Sequence, residues 1–378
     1  MRRFPWVTLG VVLSLGCQKR AAEDRRATST PSASVVAATP IAPPAASGDS
    51  EAVPRADEMN LPAGLGKLKV PADNPQTQAK IDLGQRLFFD PRLSSDGSRS
   101  CYSCHRNEDG TGGHDATALG VGDKKLSRHS PALFNSGYLP RLGWDGRYGS
   151  LEELATALFT DGSMGNSSTL LAKKAAELAK IAGYKTAFDA AFPAKGATPE
   201  SVVQALAAYQ RAIVCDDTDY DRFAQGNRNA LSAPQKHGLE LFMGKAGCVA
   251  CHTPPFFSSA FIVRDGTYFN VGVGFAEKAP EAVDPGRNGV TKSDADFGAF
   301  KVPSLRHVSK SAPYFHDGSK RTLADAVRYM ASGGTKNERL TPLMTDKQLA
   351  DAEVEAIVDF LGALDCKVAL AEPPAPRL

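Results

Sequence analysis

The chain has 378 residues, 42% of them hydrophobic, with 44 Lys and Arg against 42 Asp and Glu for a formal charge of +2. This length suits two ordinary domains plus a tail, and the apolar fraction is enough for packed cores. Charge so near balance leaves no nucleic-acid footprint, which would need a basic face or stripe.

In chain order, Met1-Arg2-Arg3 is a basic start and Phe4 to Gly16 a short apolar core, too short to span a bilayer as a helix. It ends at Ser14-Leu15-Gly16-Cys17. This resembles the bacterial lipoprotein box, in which the cysteine is lipidated and becomes the new N-terminus; Ser14 departs from the Leu or Val usual there, and ordinary signal cleavage nearby is the alternative. Residues 1–17 are therefore expected to be an export signal to the periplasm, with Cys17 the lipid anchor. Residues 18–60 are rich in Ala, Pro, Ser and Thr. They bury too little apolar surface to offset backbone ordering, and the expectation is a disordered tether.

The remaining chain repeats one plan. Asp82-Leu83-Gly84-Gln85-Arg86-Leu87-Phe88 precedes Cys101-Tyr102-Ser103-Cys104-His105, and His237-Gly238-Leu239-Glu240-Leu241-Phe242 precedes Cys248-Val249-Ala250-Cys251-His252. Gly84, Leu87 and Phe88 match Gly238, Leu241 and Phe242 at a spacing that puts them on one helical face. Cys-x-x-Cys-His is the covalent attachment site of a c-type haem, both thiols adding to the porphyrin and the histidine becoming an axial ligand of iron. With only 7 Cys and 7 His in the chain, two such pentads are not chance. A four-cysteine zinc site would bring the two knuckles closer in sequence, and a thioredoxin-like dithiol would need a βαβ setting. Two covalent haems follow, on Cys101, Cys104 and His105 and on Cys248, Cys251 and His252. Their four propionates would make the assembled protein acidic, so redox partners would meet local charge patches. Covalent haem assembly also occurs outside the cytoplasm, in agreement with the export signal.

Thr198-Pro199-Glu200 opens a helix with a cap and a proline at its first position, and Val202, Val203, Leu206, Tyr209 and Ile213 follow at helical spacing. Near the end Thr345 caps and Gln348 reaches back, ahead of a buried stripe of Leu349, Val354, Ile357, Val358 and Leu361. The only strand signal is Tyr268 to Val273. The fold class is all-α: two cytochrome-c-like haem domains, residues 61–226 and 227–370. Cys215 and Cys366 each sit just past an amphipathic helix in an oxidising compartment, and a disulfide between them is expected, two unrelated buried thiols being the alternative.

Several motifs occur together: Leu83-Gly84-x-x-Leu87-Phe88-Phe89-Asp90-Pro91-Arg92-Leu93-Ser94, the two pentads, Trp144-Asp145-Gly146-Arg147, Val302-Pro303-Ser304-Leu305-Arg306, and Ala312-Pro313-Tyr314-Phe315-His316-Asp317-Gly318. With them, from about Leu65 to Leu364, the chain resembles the bacterial dihaem cytochrome c peroxidases and the related MauG proteins. The resemblance implies an oxidoreductase with a peroxide-reacting haem in the first domain and an electron-transfer haem in the second. It implies a sixth ligand for the second iron 14 residues after His316, and that residue is Met330; MauG-type proteins carry Tyr there. A thioether favours ferrous iron and raises the potential, whereas a lone methionine in an apolar helix is otherwise core filler. Trp144 matches the relay tryptophan between the haems, and Arg306 and His316 match residues expected to hydrogen-bond propionates or the segment between the haems.

Three positions depart from the family pattern. The histidine that closes the resting first iron in many of the peroxidases is replaced by Val121, which predicts an open or water-bound sixth site; His114 and His129 lie off that register. The distal Gln position is Leu154. The distal Glu, which moves the peroxide proton between oxygens, has no clean counterpart: Ser163 is nearest and Asp161 is the substitute. The family's interhaem calcium would here face His129 in place of Asn, a poor ligand for a hard cation, with carbonyls of Ser311 and Pro313, and is left unassigned. Three functions compete. The first is an exported peroxidase reducing hydrogen peroxide to water with electrons from a small cytochrome c or cupredoxin. The second is a MauG-like oxidant of a partner protein. The third is a plain dihaem electron carrier. The family also implies a homodimer.

Overall fold

The computed structural model describes residues 65–165, 167–276 and 282–373; the expected export signal and tether lie outside them. The described helices are α1 Gln78–Phe89, α2 Leu151–Ala157, α3 Leu170–Leu178, α4 Ala182–Ala191, α5 Pro199–Ala212, α6 Asp219–Ala224, α7 Ala233–Met243, α8 Asn288–Thr291, α9 Leu323–Ala331 and α10 Asp351–Gly362. The expected strand at Tyr268 to Val273 shrinks to two residues, Tyr268–Phe269 (β1), paired antiparallel with Phe300–Lys301 (β2). Asn270 ends it: its side-chain oxygen accepts from the Gly272 amide at 2.9 Å, turning the chain away.

Two helix crossings organise the fold, and they are built alike. α1 lies across α5 where Gly84 meets Ala205 and Tyr209; α7 lies across α10 where Gly238 meets Ala356 and Phe360. In each crossing the glycine faces a carbonyl and the Cβ of the residue one turn on. The aromatic four residues after each glycine then packs on its partner helix, Phe88 on Tyr209 with ring centroids 5.3 Å apart and Phe242 on Phe360 at 5.2 Å. Around the first crossing collects one core, with Leu83, Leu87, Leu178 and Phe188; around the second collects another, with Leu241, Phe257, Ile357 and Leu364.

α5 begins as its sequence implies, the Thr198 hydroxyl accepting from the Ser201 amide at 3.1 Å with Pro199 at the first position. α10 does not begin at Thr345. Asp346 captures the Gln348 amide at 2.9 Å and Gln348 adopts a left-handed φ of 49°, a local turn that outcompetes the helix. The helix starts six residues later, where the Glu353 carboxylate accepts from the Ala350 amide at 2.8 Å. Past α10 the chain leaves the second core and returns to the first. Leu370 is buried there, Asn107 exchanges two hydrogen bonds with its backbone, and Gln85 donates to the Ala371 carbonyl. At this return Cys366 is disulfide-bonded to Cys215, as expected from their positions.

Candidate haem sites and active site

Each pentad is wound into a single tight turn, Cys101–Ser103 or Cys248–Ala250, closed by the histidine amide on the first cysteine's carbonyl, 3.1 Å for His105 and 2.9 Å for His252. The winding places two thiols and one imidazole together. His105 Nδ1–H donates to the Thr111 carbonyl at 2.8 Å and His252 Nδ1–H to the Phe257 carbonyl at 2.9 Å. In both histidines Nε2 is thereby the nitrogen left to coordinate metal, with its ring orientation fixed. Burial keeps both neutral, pushing His105 down to about 4 against the opposing Thr111 bond, and His252 down as well. Burial also pushes the thiols up, Cys101 to about 12 and Cys248 to about 11. Those sites disfavour a thiolate and suit a neutral thioether.

A cavity of about 520 Å³ lies beside the second pentad. Cys248, Cys251 and His252 line it, as do Met330 from α9 and, from the first half of the chain, Trp144, His129 and Leu154. Its walls are mostly apolar, and the buried Ser136 hydroxyl among them has no hydrogen-bond partner; nor has the buried Tyr209 hydroxyl beside Cys101. A large flat apolar ring carrying a few polar groups fits such a lining. Met330 and Tyr329 are separated by the helix: Met330 lines the cavity, whereas the Tyr329 hydroxyl donates to the Val271 carbonyl and accepts from the Thr335 amide, both at 3.1 Å.

Trp144 is fixed at the cavity wall. Its Nε1–H donates to the His129 carbonyl at 2.7 Å and its own carbonyl accepts from the Lys301 amide at 2.8 Å. Its ring stands edge-on to His316, which in turn stacks on Phe300 at 3.6 Å. The next residue, Asp145, is buried and receives both Arg147 and Arg128, and Arg128 also grips Asp284 with two hydrogen bonds.

Arg306 lines the same cavity and is held from behind. Its guanidinium is spent on both oxygens of Asp221 from α6, at 2.7 and 2.8 Å, and on the Pro255 carbonyl at 2.9 Å. It braces one loop against a helix. Lys301, which the motif reading passed over, is a further cation in the wall beside Arg306 and Lys347: it is 9% exposed, lines the cavity, and burial pushes it down to about 8. Its place directly before Val302-Pro303-Ser304-Leu305-Arg306 was the available signal.

Around the first pentad, Val121 sits on a turn closed by the Leu119–Lys125 bridge, with Cys104 Sγ 3.7 Å from the Leu119 carbonyl. The Val121 amide donates to Gly162 at 3.3 Å, so this turn abuts the loop carrying Asp161 and Ser163. Asp161 is exposed and accepts from the Ser163 amide at 2.9 Å; neither residue lines the cavity. His114 is exposed and pairs with Asp109, while His129 is buried with Nδ1 on the Asp115 carbonyl. Ser311 and Pro313 reach the cavity beside His129, but among the described residues no three acidic, His or Cys groups cluster as a metal site.

The family model of the di-haem cytochrome c peroxidases matches residues 78–229. Cytochrome-c peroxidase IdrP1 of Pseudomonas sp. (strain SCT) is 35% identical over 323 residues, covering 80% of this chain and 85% of that protein. Methylamine utilization protein MauG of Methylorubrum extorquens is 34% identical, covering 88% and 91%. Among solved structures, a MauG-like protein associated with microbial copper homeostasis superposes with a TM-score of 0.76 at 29% identity, covering 84% of this chain and 99% of that one. With its two haem-binding pentads and largely helical fold, the chain belongs to the di-haem cytochrome c peroxidase family, as an oxidoreductase that carries two covalently bound c-type haems.

Proposed function

We propose that this protein reduces hydrogen peroxide to water outside the cytoplasm, drawing electrons from a small cytochrome c or cupredoxin. Each peroxide takes up two electrons and two protons and yields two waters. When bound, the haems supply one-electron storage and the iron centre at which the oxygen–oxygen bond is cleaved. Residues 61–226 would hold the peroxide-reacting site and residues 227–370 the electron-accepting one. The observation that carries the reading is Met330 in the wall of the second-pentad cavity, with the Tyr329 hydroxyl committed elsewhere. Thioether and imidazole ligands favour reduced iron, which suits a centre that accepts electrons from a donor.

The chain's own residues divide the remaining work. His105 and His252 present Nε2 because Nδ1 is held by a carbonyl. Trp144, pinned by the His129 carbonyl, is the relay between the two halves. Val121, which has no donor atom, would offer the first haem no ligand from that turn. Protons reach that site from solvent through the loop of Asp161 and Ser163. Export as a lipoprotein through Cys17 belongs to the same reading, and no described helix is long and apolar enough to cross a membrane.

The exposure of Asp161 favours a second reading, a MauG-like oxidant of a partner protein, because peroxide cleavage then lacks a buried proton shuttle. Two measurements decide. Low-temperature EPR of the oxidised protein is expected to give one high-spin ferric signal and one low-spin His/Met signal; two low-spin signals would remove the open site. Steady oxidation of a reduced cytochrome by peroxide supports the peroxidase, and its absence alongside a long-lived oxidised spectrum supports the second reading.

A further inference from the structure

Lys301 leaves the chemistry of the cavity wall incomplete. β2 carries it into the wall, and its amide is tied to the Trp144 carbonyl, so its backbone is registered on that tryptophan. The neighbouring guanidiniums are neutralised, buried Arg306 by Asp221 and half-buried Arg128 by Asp145 and Asp284. Among the described residues the Lys301 ammonium has no carboxylate and no hydrogen-bond partner. An ammonium held in an apolar wall with no counter-charge is disfavoured until an anion meets it. A cation placed in this way beside a cavity calls for an anion that enters the cavity from outside the chain.

The same cavity is lined by Cys248, Cys251, His252 and Met330. Attachment to those thiols brings in a porphyrin, and the anionic groups of that porphyrin are its two carboxylates. We propose that Lys301 anchors a propionate of the haem attached at Cys248 and Cys251, at the edge facing Trp144. The ammonium fixes that porphyrin edge beside the tryptophan and, by neutralising a carboxylate next to the iron, favours the ferrous state. Arg306 also lines the cavity, but its charge is already met by Asp221, whereas that of Lys301 is not. The inference rests on the two covalent haems and not on peroxide being the substrate.

The test compares Lys301→Met, which keeps the length of the side chain and removes its charge, with Lys301→Arg, which keeps the charge. Both are purified as dihaem protein and titrated spectroelectrochemically. In Lys301→Met the ferrous-to-ferric ratio of the second-pentad haem at fixed poise is expected to fall about tenfold, since an uncompensated carboxylate charge near the iron favours the ferric form by roughly that factor at an effective protein dielectric of about 20. Lys301→Arg is expected to hold the parent ratio, and the first-pentad haem to stay unchanged in both. An unchanged ratio in fully loaded Lys301→Met, or a shift confined to the first-pentad haem, overturns the proposal. Should Lys301→Met fail to load haem, the crystal structure of the parent holoprotein decides. Nζ about 2.8 Å from a propionate oxygen supports the anchor, and a gap beyond about 4 Å refutes it. Peroxide turnover is not a readout, so an inactive protein with the expected shift would sink the proposed function and leave this assignment standing.

Discussion

Met330 and Tyr329 are adjacent on α9, yet the helix turns one side chain into the cavity and ties the other to Val271 and Thr335. Met330→Leu conserves volume, costs little packing, and removes only the sulfur. The low-spin His/Met EPR signal should disappear, and oxidation of reduced cytochrome by peroxide should slow by at least about tenfold, the lower end of what disturbed metal surroundings cause. A persistent low-spin signal in that variant would show that another side chain binds the iron. Arg128 makes a second case at this scale. Burial raises the pKa of Asp145 and of Asp284, but hydrogen bonds outweigh it, from Arg147 and Arg128 on Asp145 and from Arg128 on Asp284, and hold both below the ordinary value of 3.8. Depressed carboxylates contribute stability above that ordinary value and lose it as pH falls through their folded values. Arg128→Met leaves buried Asp145 with Arg147 alone and half-buried Asp284 without a guanidinium, and should lose about 3 kcal/mol at pH 7. As pH drops below about 4 those carboxylates protonate and the gap between variant and parent should narrow. Unfolding curves at both pH values check it; a gap that widens in acid contradicts the pairing.

The crossing helices carry the next prediction. A Cβ on Gly84 would lie 2.0 Å from the Ala205 carbonyl oxygen, and one on Gly238 1.8 Å from that of Ala356. Neither neighbour is a flexible side-chain end, so α1 or α7 must move bodily. Gly84→Ala and Gly238→Ala should each cost about 1–3 kcal/mol or more. Gly84→Ala should lower haem loading at the first pentad and Gly238→Ala at the second, read by site-resolved mass of the haem peptides; equal loss at both pentads from either variant would show that the crossings do not serve their own halves. These elements were legible in the sequence because their signals are local. A glycine and an aromatic four residues apart, Thr198 before Pro199, and the pentads all lie within a turn or two of helix. Tertiary partners were not. Arg306 finds Asp221 85 residues away, a pairing that no periodicity announces. Lys301 looks like any strand lysine until β2 buries it. The start of α10 was misplaced because Thr345 and Gln348 spell a capping box that the Asp346 turn overrides.

Across the whole molecule, the chain past α10 folds back onto the core it left, and the Cys215–Cys366 disulfide, spanning 151 residues, closes that return. Each end of the bridge is held by a residue from a loop at the cavity wall. Asn135 donates to the Cys215 carbonyl at 3.0 Å and accepts from its amide at 2.9 Å, while His307 Nδ1 accepts from the Cys366 amide at 2.9 Å. Phe134 and His307 meet edge to face, 5.0 Å apart, between the two clamps. A loop of this length gives about 5 kcal/mol of unfolded-state restriction on the chain-entropy account, and losses of about 2–5 kcal/mol are usual when such a bond is removed. Cys215→Ser with Cys366→Ser should therefore unfold at clearly lower guanidinium concentration than the parent while both pentads still load. Under non-reducing denaturation the parent should show no alkylatable thiol among Cys101, Cys104, Cys215, Cys248, Cys251 and Cys366, four being thioethers and two the disulfide. Alkylation of Cys215 and Cys366 without reductant, or a double variant as resistant to guanidinium as the parent, would mean that the fold-back is held by Leu370, Asn107 and Gln85 without the bridge.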